Sequence, residues 1–348
     1  MVIQTMWKDR LSYADLEGEA GKTTIRRIAN LKAMGCGLLR FAVPDIESAD
    51  VLGRLAAMVS LPLVADIHFD YKIALLCLEF PIAKIRINPG NIGSREKVEK
   101  VLTRAAEKKV PIRIGVNGGS LPQDLRRRIE AGELDRAEAL VCAAERELAV
   151  FDEFGFKDVL ISLKASSVEE TLRANRLLVE RTRVPLHIGV TEAGPLIAGV
   201  ARNAVALHAL LSEGIGDTIR VSLSDTMENE VIAGREILGL LAESGAARQG
   251  GSAQPKGVVI VSCPRCGRNG FDTHAFTARW QNYLYTLDKT CTVAIMGCAV
   301  NGPEEARHAD LGITGAGDKV LLFRRGRVIR TIDAIDADTA FREELDRL

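Results

Sequence analysis

Residues 111–117 read Pro-Ile-Arg-Ile-Gly-Val-Asn, PIRIGVN. Apolar and non-apolar positions alternate with period two, the mark of a strand with two unlike faces. Ile112, Ile114 and Val116 share one face, and Arg113, Gly115 and Asn117 the other. In a barrel strand, alternate residues point to the surrounding helices and into the lumen. The apolar set then meets the helices, and Arg113, Gly115 and Asn117 point inward.

Seven further β-rich runs accompany it: VIQTM (2–6), LLRFAV (38–43), PLVADIHF (62–69), AKIRINP (83–89), DVLISLKA (158–165), PLHIGVTE (185–192) and DTIRVSLS (217–224). Each is followed by helix-like sequence, as over 94–109 and 167–182. Eight strand–helix pairs are the count for an α/β chain folded as a (β/α)8 TIM-type barrel. An open doubly wound sheet is the alternative.

The same parity sends Arg40, Asp66, His68, Arg86, Asn88, Lys164, His187, Thr191, Arg220 and Ser222 inward. Most lie near the C-terminal ends of their strands, where barrel enzymes build active sites. So many cations in one lumen need anions to meet them. Arginine suits bidentate phosphate contact, so the mouth fits a polyanion such as a diphosphate. The plainer reading is that some of these cations pair with Asp66, Glu192 or Asp225 and only hold the barrel together. Glu192, just past a strand end, suits a general acid or a counter-ion.

The 348 residues suffice for one large and one smaller domain. A 47% hydrophobic, 26% charged composition is ordinary for a globular protein, and net charge zero argues against broad nucleic-acid or membrane-surface binding. No apolar run approaches the ~18 residues of a transmembrane helix, and the start, MVIQTMWKDR, lacks a signal-peptide pattern. Seven cysteines without disulfide-scaffold spacing fit a reducing, cytoplasmic setting. Cys36, Cys77 and Cys142 sit in apolar stretches and read as small core residues. GEAGKTT (18–24) is no P-loop, because Leu16 stands where the motif needs glycine.

Residues 242–257, AESGAARQGGSAQPKG, lack apolar periodicity and read as a linker between a barrel over 1–241 and an α+β domain over 258–348. The second domain opens with the strand GVVIVSC, carries CTVAIMGC, and has a hairpin, VLLFRRGRVIRTI, turning at Arg325-Gly326.

This domain contains SCPRC (262–266) and MGCAVNGPEEA (296–306). Cys263, Cys266 and Cys298 form a three-thiol set. Cys291, His274, His308, Glu304 and Glu305 compete for a fourth place. Cys291 and Cys298 bracket one strand, whose seven residues span ~23 Å, far beyond metal–thiolate bonds of ~2.3 Å. Glu305 lies beyond the turn Asn301-Gly302-Pro303, which can fold the chain back. A carboxylate among thiolates points to a working metal, since a hard oxygen holds a soft centre less firmly.

The segments LLRFAVPD, PLVADIHFDY, KIRINPGNIG, PIRIGVNGGSL, GVTEAG, LLSEGIGDTIRVSLS, SCPRCGR and MGCAVNGP stand in this order within a likeness that covers about residues 3 to 315. Together they resemble the 4-hydroxy-3-methylbut-2-enyl diphosphate synthases, iron–sulfur oxidoreductases of the non-mevalonate pathway of isoprene biosynthesis. The resemblance implies a barrel followed by a cluster domain similar to those of sulfite reductases. It implies a [4Fe–4S] cluster on Cys263, Cys266, Cys298 and Glu305. It implies substrate contacts from Arg40, His68, Arg86, Arg113, Asn117, Lys164, Thr191 and Asn301, the last of these beside the cluster, and an acid/base role for Glu192. The implied reaction is two-electron reduction of 2-C-methyl-D-erythritol 2,4-cyclodiphosphate, with ring opening and loss of water. Flavodoxin or ferredoxin is the implied donor. The implied assembly is a homodimer with one chain's cluster facing the partner's barrel mouth.

The chain departs from the family in three places. It begins inside the first strand. It has Arg202-Asn203-Ala204 where Lys-Ser-Ala is usual, and Glu304 where the cluster turn usually has a second glycine. A contrasting reading is a non-catalytic phosphate-ligand-binding barrel with structural zinc on the same cysteines.

Overall fold

The computed structural model describes residues 1–245, 257–300 and 302–348. The chain divides into two compact units, Met1–Ser252 and Ala253–Leu348.

The first unit is a ring of eight parallel strands: β1 (Val2–Met6), β2 (Cys36–Ala42), β3 (Leu63–Asp66), β4 (Lys84–Ile87), β5 (Ile112–Asn117), β6 (Val159–Lys164), β7 (His187–Ile188) and β8 (Thr218–Ile219). Their order is β6-β5-β4-β3-β2-β1-β8-β7. A single parallel bridge, Ile161 to Leu186, nearly closes the ring. The helices that wrap it are α1 (Gly18–Ala33), α2 (Ile46–Met58), α3 (Tyr71–Cys77), α4 (Pro89–Ile92), α5 (Arg95–Lys108), α6 (Gln123–Glu130), α7 (Arg136–Glu153), α8 (Val168–Arg181), α9 (Leu196–Ser212) and α10 (Met227–Glu243). GEAGKTT forms the start of α1. α10 runs two residues into the expected linker, whose stretch 246–256 lies outside the described residues.

Capping residues fix several helix starts, each accepting a hydrogen bond from an otherwise unpaired N–H. Asp45 caps α2 through Ser48 N–H, Ser167 caps α8 through Glu170 N–H, and Thr226 caps α10 through Asn229 N–H. Asp135 and Glu138 form a reciprocal capping box on α7.

β7 and β8 are much shorter than their apolar runs. Gly189 has φ 150°, and a Cβ there would stand 2.2 Å from the Arg220 carbonyl oxygen. The chain therefore leaves the ladder after Ile188. Val190 N–H instead finds the Asn203 side chain at 3.0 Å, and Thr191 N–H finds the Ala165 carbonyl at 3.1 Å. The turn that carries Glu192 hangs from these bonds.

The second unit is a sheet ordered β13-β12-β11-β10-β9, from β9 (Val258–Ser262), β10 (Cys291–Met296), β11 (Leu311–Ala316), β12 (Lys319–Arg324) and β13 (Arg327–Asp333). β9, β10 and β11 are parallel, and β11, β12 and β13 antiparallel. The hairpin turns at Arg325-Gly326, as the sequence predicts. Helices α11 (Thr273–Thr286) and α13 (Ala337–Asp346) bury Phe276, Trp280, Leu284 and Phe341 against Val293, Ile295, Ile313 and Leu322. The opposite face buries Ala294, Met296 and Phe323 together with Ala306 and Ala309. Between them the chain makes one short helical turn, α12 (Gly302–Glu305).

Among the described residues no helix is long and apolar enough to cross a membrane. The cysteines are free of disulfides; Cys36 and Cys77 are buried, and Cys142 only half-buried.

Candidate active site

At the C-terminal end of the barrel strands lies a recess of about 430 Å³. It is lined by Arg40, Asp66, His68, Arg86, Arg113, Asn117, Ser162, Lys164, Thr191, Arg220 and Ser222. All the substrate contacts expected in the barrel are among these. Gly115 also points inward: a Cβ there would stand 2.5 Å from Arg86 Nε, so its bare face lets the guanidinium lie across β5.

Two inward-pointing residues do other work. His187 is fully buried beneath the recess; its Nε2 is 3.1 Å from Lys164 Nζ and its Nδ1 2.7 Å from Thr218 Oγ1. It supports Lys164 and is not among the residues that line the recess. Asn88 turns its Oδ1 onto Gly90 N–H at 3.1 Å and caps α4. The sequence reading missed Ser162, although it shares the parity of Lys164 two residues on.

The charges are unequal. Asp66 Oδ1 accepts from Arg86 Nη1 at 3.1 Å, and its Oδ2 pairs with Arg40 Nε at 3.5 Å. Arg86 Nη1 also lies 2.9 Å from His68 Nε2. Burial raises the Asp66 carboxyl, but Arg40 and Arg86 outweigh it and hold it below its usual value. Arg113 is 2% exposed, touches Gln4 Oε1 at 3.4 Å, and leaves its Nε without a partner. Burial, then the charge of Arg40, pushes Arg113 well below the usual arginine value. Burial lowers Arg40 to about 10 against the pull of Asp66. Burial, with Arg113 next, pushes Lys164 well below its usual value.

The second counter-charge is Glu230 on α10, which the sequence reading did not select. Its Oε1 accepts from Lys8 Nζ at 2.6 Å, Arg220 Nη2 at 3.2 Å and Leu223 N–H at 3.1 Å; its Oε2 accepts from Thr5 Oγ1 at 2.6 Å and Arg220 Nε at 3.3 Å. Burial raises its carboxyl, and Arg220 with Lys8 and Thr5 more than offset that. Asp225, which the sequence offered as a partner, is turned instead to Thr226 N–H and Asn229 Nδ2, both at 2.7 Å. Glu230→Gln is expected to destabilise the protein by roughly 3–5 kcal/mol, because it leaves Arg220 buried without its charge. Urea unfolding checks this, and a loss under ~1 kcal/mol would remove Glu230 from this role.

Lys84 lies buried on β4, one inward position before Arg86. Burial and Arg113 lower it to about 8, from the 10.5 usual for lysine. Between those values the unfolded chain binds the proton and the folded chain does not, so stability rises with pH across this window. Below about 8 the folded protein carries the full penalty. Lys84→Met is therefore expected to be more stable at pH 7 by on the order of 3 kcal/mol. The margin should narrow between about pH 8 and 10.5, as read from paired denaturant titrations. A margin that does not depend on pH would contradict this account.

Beside the main recess lies a second one of about 760 Å³, lined by Asn117, Gly118, Gly119, Arg136, Ala165, Ser166, Thr191 and Glu192. Asn117 and Thr191 belong to both. Glu192 therefore stands next to the cation ring and is paired with none of its arginines. Its φ of 52° is left-handed, which costs a non-glycine residue ~1–3 kcal/mol. The departures from the family pattern hold this turn: Arg202 Nη1 donates to Ala193 O at 2.7 Å, and Asn203 anchors Val190. Arg136, also missed, reaches this recess from the start of α7 and pairs with Glu170 at 2.9 Å.

In the second unit Cys263 directly follows β9, and Cys298 follows β10 by two residues. These strands are parallel neighbours, with Ser262 opposite Ile295, so both thiols stand at one end of the sheet. Cys291 begins β10, at the other end. After Cys298 the chain turns back through a Gly302 N–H bond to Cys298 O at 3.0 Å, and α12 ends on Glu305 at the same end. Glu304 is exposed and pairs with Arg307 at 3.3 Å. Asn301 lies outside the described residues.

Among the described residues no three His, Cys, Asp or Glu side chains stand close enough to hold one metal ion. Thiols spread over two strand ends and a loop suit a larger group with a separate metal for each ligand. The surroundings fit such a group. Gly297 presents a bare face beside Cys263 Sγ, which lies 3.5 Å from its Cβ position, and the buried Asn269 Oδ1 there lacks a partner.

Comparison with known proteins agrees with this architecture. Residues 1–235 match the family described as the GcpE TIM-barrel domain, and residues 259–347 match the GcpE protein C-terminal domain. The chain is 51% identical to the 4-hydroxy-3-methylbut-2-en-1-yl diphosphate synthase (flavodoxin) of Treponema pallidum, covering 99% of this chain and 86% of that protein. Identity to the enzyme of the same name from Treponema denticola is 48%, over 100% of this chain and 93% of that protein. Identity to that of Geobacter sulfurreducens is 44%, over 93% and 88%. These relatives carry an enzyme's name, which leaves the non-catalytic zinc reading without support. The chain, matched through both of its units, belongs to the GcpE family.

Proposed function

We propose that this chain is an iron–sulfur oxidoreductase that converts 2-C-methyl-D-erythritol 2,4-cyclodiphosphate to 4-hydroxy-3-methylbut-2-enyl diphosphate. The observation that carries this is the charge imbalance of the recess. Arg40, Arg86, Arg113, Lys164 and Arg220 meet around it, with Asp66 and Glu230 as their carboxylates among the described residues. A diphosphate supplies the missing negative charge, and guanidinium groups hold it through paired hydrogen bonds.

Asp66 orients Arg86 and Arg40 from behind, and His187 does so for Lys164. His68 lies on the rim and shares Arg86 with Asp66. Asn117 and Thr191 join the diphosphate recess to the one that Glu192 lines, so the reacting carbon skeleton extends from the first toward the second. Glu192 delivers a proton to the departing hydroxyl oxygen, which leaves as water.

Cys263, Cys266, Cys298 and Glu305 would hold a [4Fe–4S] cluster, and we assign Asn301 to substrate binding. When bound, the cluster supplies two electrons, one at a time, and a Lewis-acidic iron. We assign substrate binding to the barrel, 1–241, and the cluster to 258–348, joined through 242–257. Flavodoxin is the electron donor best supported by the relatives' names, with ferredoxin the alternative. We place the enzyme in the cytoplasm as a homodimer.

Anaerobically purified, cluster-loaded protein is expected to turn over the cyclodiphosphate with a strong reductant. Inorganic diphosphate is expected to raise the melting temperature, with a rise that shrinks as salt is added. Failure of the loaded protein to turn over, or a melting temperature indifferent to diphosphate, would sink this reading.

A further inference from the structure

Asn269 follows Cys266 by three residues, and its N–H donates to the Cys266 carbonyl at 3.0 Å. The next residue, Gly270, donates to the Gly297 carbonyl at 2.8 Å. The main chain at Asn269 is thus tied to the Cys266 loop on one side and to the turn before Cys298 on the other. Its side chain stands against Gly297, beside which the third cysteine's Sγ also lies. Asn269 Oδ1 lies 2.5 Å from the point where a Cβ of Gly297 would stand, and Cys263 Sγ lies 3.5 Å from that point. This Oδ1 is buried and has no hydrogen-bond partner. Asn269 and Gly270 are therefore tied by main-chain bonds to Cys266 and Gly297, the Asn269 side chain lies at the Gly297 corner near Cys263, and its inner end is unsatisfied.

The two ends of an asparagine amide fill nearly the same space, and their assignment follows from their partners. A carbonyl oxygen against thiolates is repelled, whereas an NH2 there is attracted and finds acceptors. A buried polar group left unpaired costs about 1–3 kcal/mol, so the cluster site favours the orientation that donates.

We propose that Asn269 presents its NH2 to the sulfur atoms of the cluster site and, as a positioning residue, raises the cluster's reduction potential. This rests on the iron–sulfur reading of Cys263, Cys266 and Cys298. One-electron reduction adds negative charge to the cluster and its sulfurs. A hydrogen bond to sulfur then strengthens, and the reduced form gains more than the oxidised one. Burial enlarges the difference.

The test is a potentiometric titration of anaerobically reconstituted protein, followed by visible absorption and electron paramagnetic resonance, with iron and sulfide assayed on each sample. Asn269→Leu keeps the volume and removes the donor; Asn269→Thr keeps a donor; Asn269→Asp replaces the donor with a carboxylate. At fixed potential Asn269→Leu is expected to lower the reduced-to-oxidised ratio about tenfold, which is about 59 mV for one electron. Asn269→Thr should stay near the wild type, and Asn269→Asp should fall below Asn269→Leu. Equal potentials for wild type and Asn269→Leu would overturn the proposal while leaving the cluster in place. If Asn269→Leu holds no cluster, Asn269→Asp against Asn269→Thr decides: a lower potential in Asp supports the proposal, and equality overturns it. A wild-type protein without iron and sulfide would instead overturn the iron–sulfur reading itself.

Discussion

Glu192→Gln is expected to lower kcat about 10²–10⁴-fold, the usual contribution of a positioned proton donor. Iron content and melting temperature should stay unchanged. Glutamine keeps the shape and the hydrogen-bonding reach of the side chain and loses only the exchangeable acid proton. Glu192 is not engaged with the cation ring; it faces the adjoining recess that Thr191 and Asn117 connect to it. The backbone at Glu192 is left-handed, with φ 52°. Asn203 and Arg202 bear that strain by tying Val190 and Ala193 to α9. Turnover measured on loaded protein, with diphosphate binding as a control, decides the matter. A variant within a factor of three of wild type would take Glu192 out of the acid role.

Cys298→Ser is expected to abolish turnover and to remove the visible absorption of the cluster. A serine oxygen is a harder and poorer ligand for iron in a sulfur site. Cys298 stands at the same sheet end as Cys263, beyond neighbouring strands β10 and β9. Diphosphate binding should persist, because every residue lining the main recess comes from the barrel. Cys291→Ser is the matched control. Cys291 opens β10 at the far end, and burial raises its thiol above the usual value. It should load iron like the wild type. A fully loaded, active Cys298→Ser, or an iron-free Cys291→Ser, would reassign the ligand set.

The barrel was legible because its strands obey a two-residue period that also sorts their polar residues. Arg113 and Asn117 could be aimed from PIRIGVN alone. The same rule applied to β6 would have found Ser162, two residues before Lys164. It failed for His187, because parity gives the direction of a side chain and not its depth along the barrel. Glu230 was out of reach for a different reason. It lies in the polar first turn of α10, MENEV, and becomes a buried counter-ion only when α10 packs beside β1. Nothing local separates it from Asp225 or Glu228. In the second unit β11 has no apolar alternation, since Gly312 and Gly315 interrupt LGITGA. Those glycines are set by distant neighbours: a Cβ at Gly312 would lie 2.0 Å from the ring of Phe323. For Cys263, Cys266 and Cys298 the spacing suggested a shared site, and the strand register puts two of them side by side. The place of Asn269 could not be read, because its approach to Gly297 crosses between two loops.

Glu230 bonds Thr5 and Lys8 at the beginning of the barrel and Arg220 near its end. A ribosome releases these residues in that order. Until residue 230 is made, Lys8 and, once it too has been made, Arg220 lack the carboxylate that pairs with them both. The bonds that join the barrel's first strand region to its last through this carboxylate therefore form only after α10 has been made.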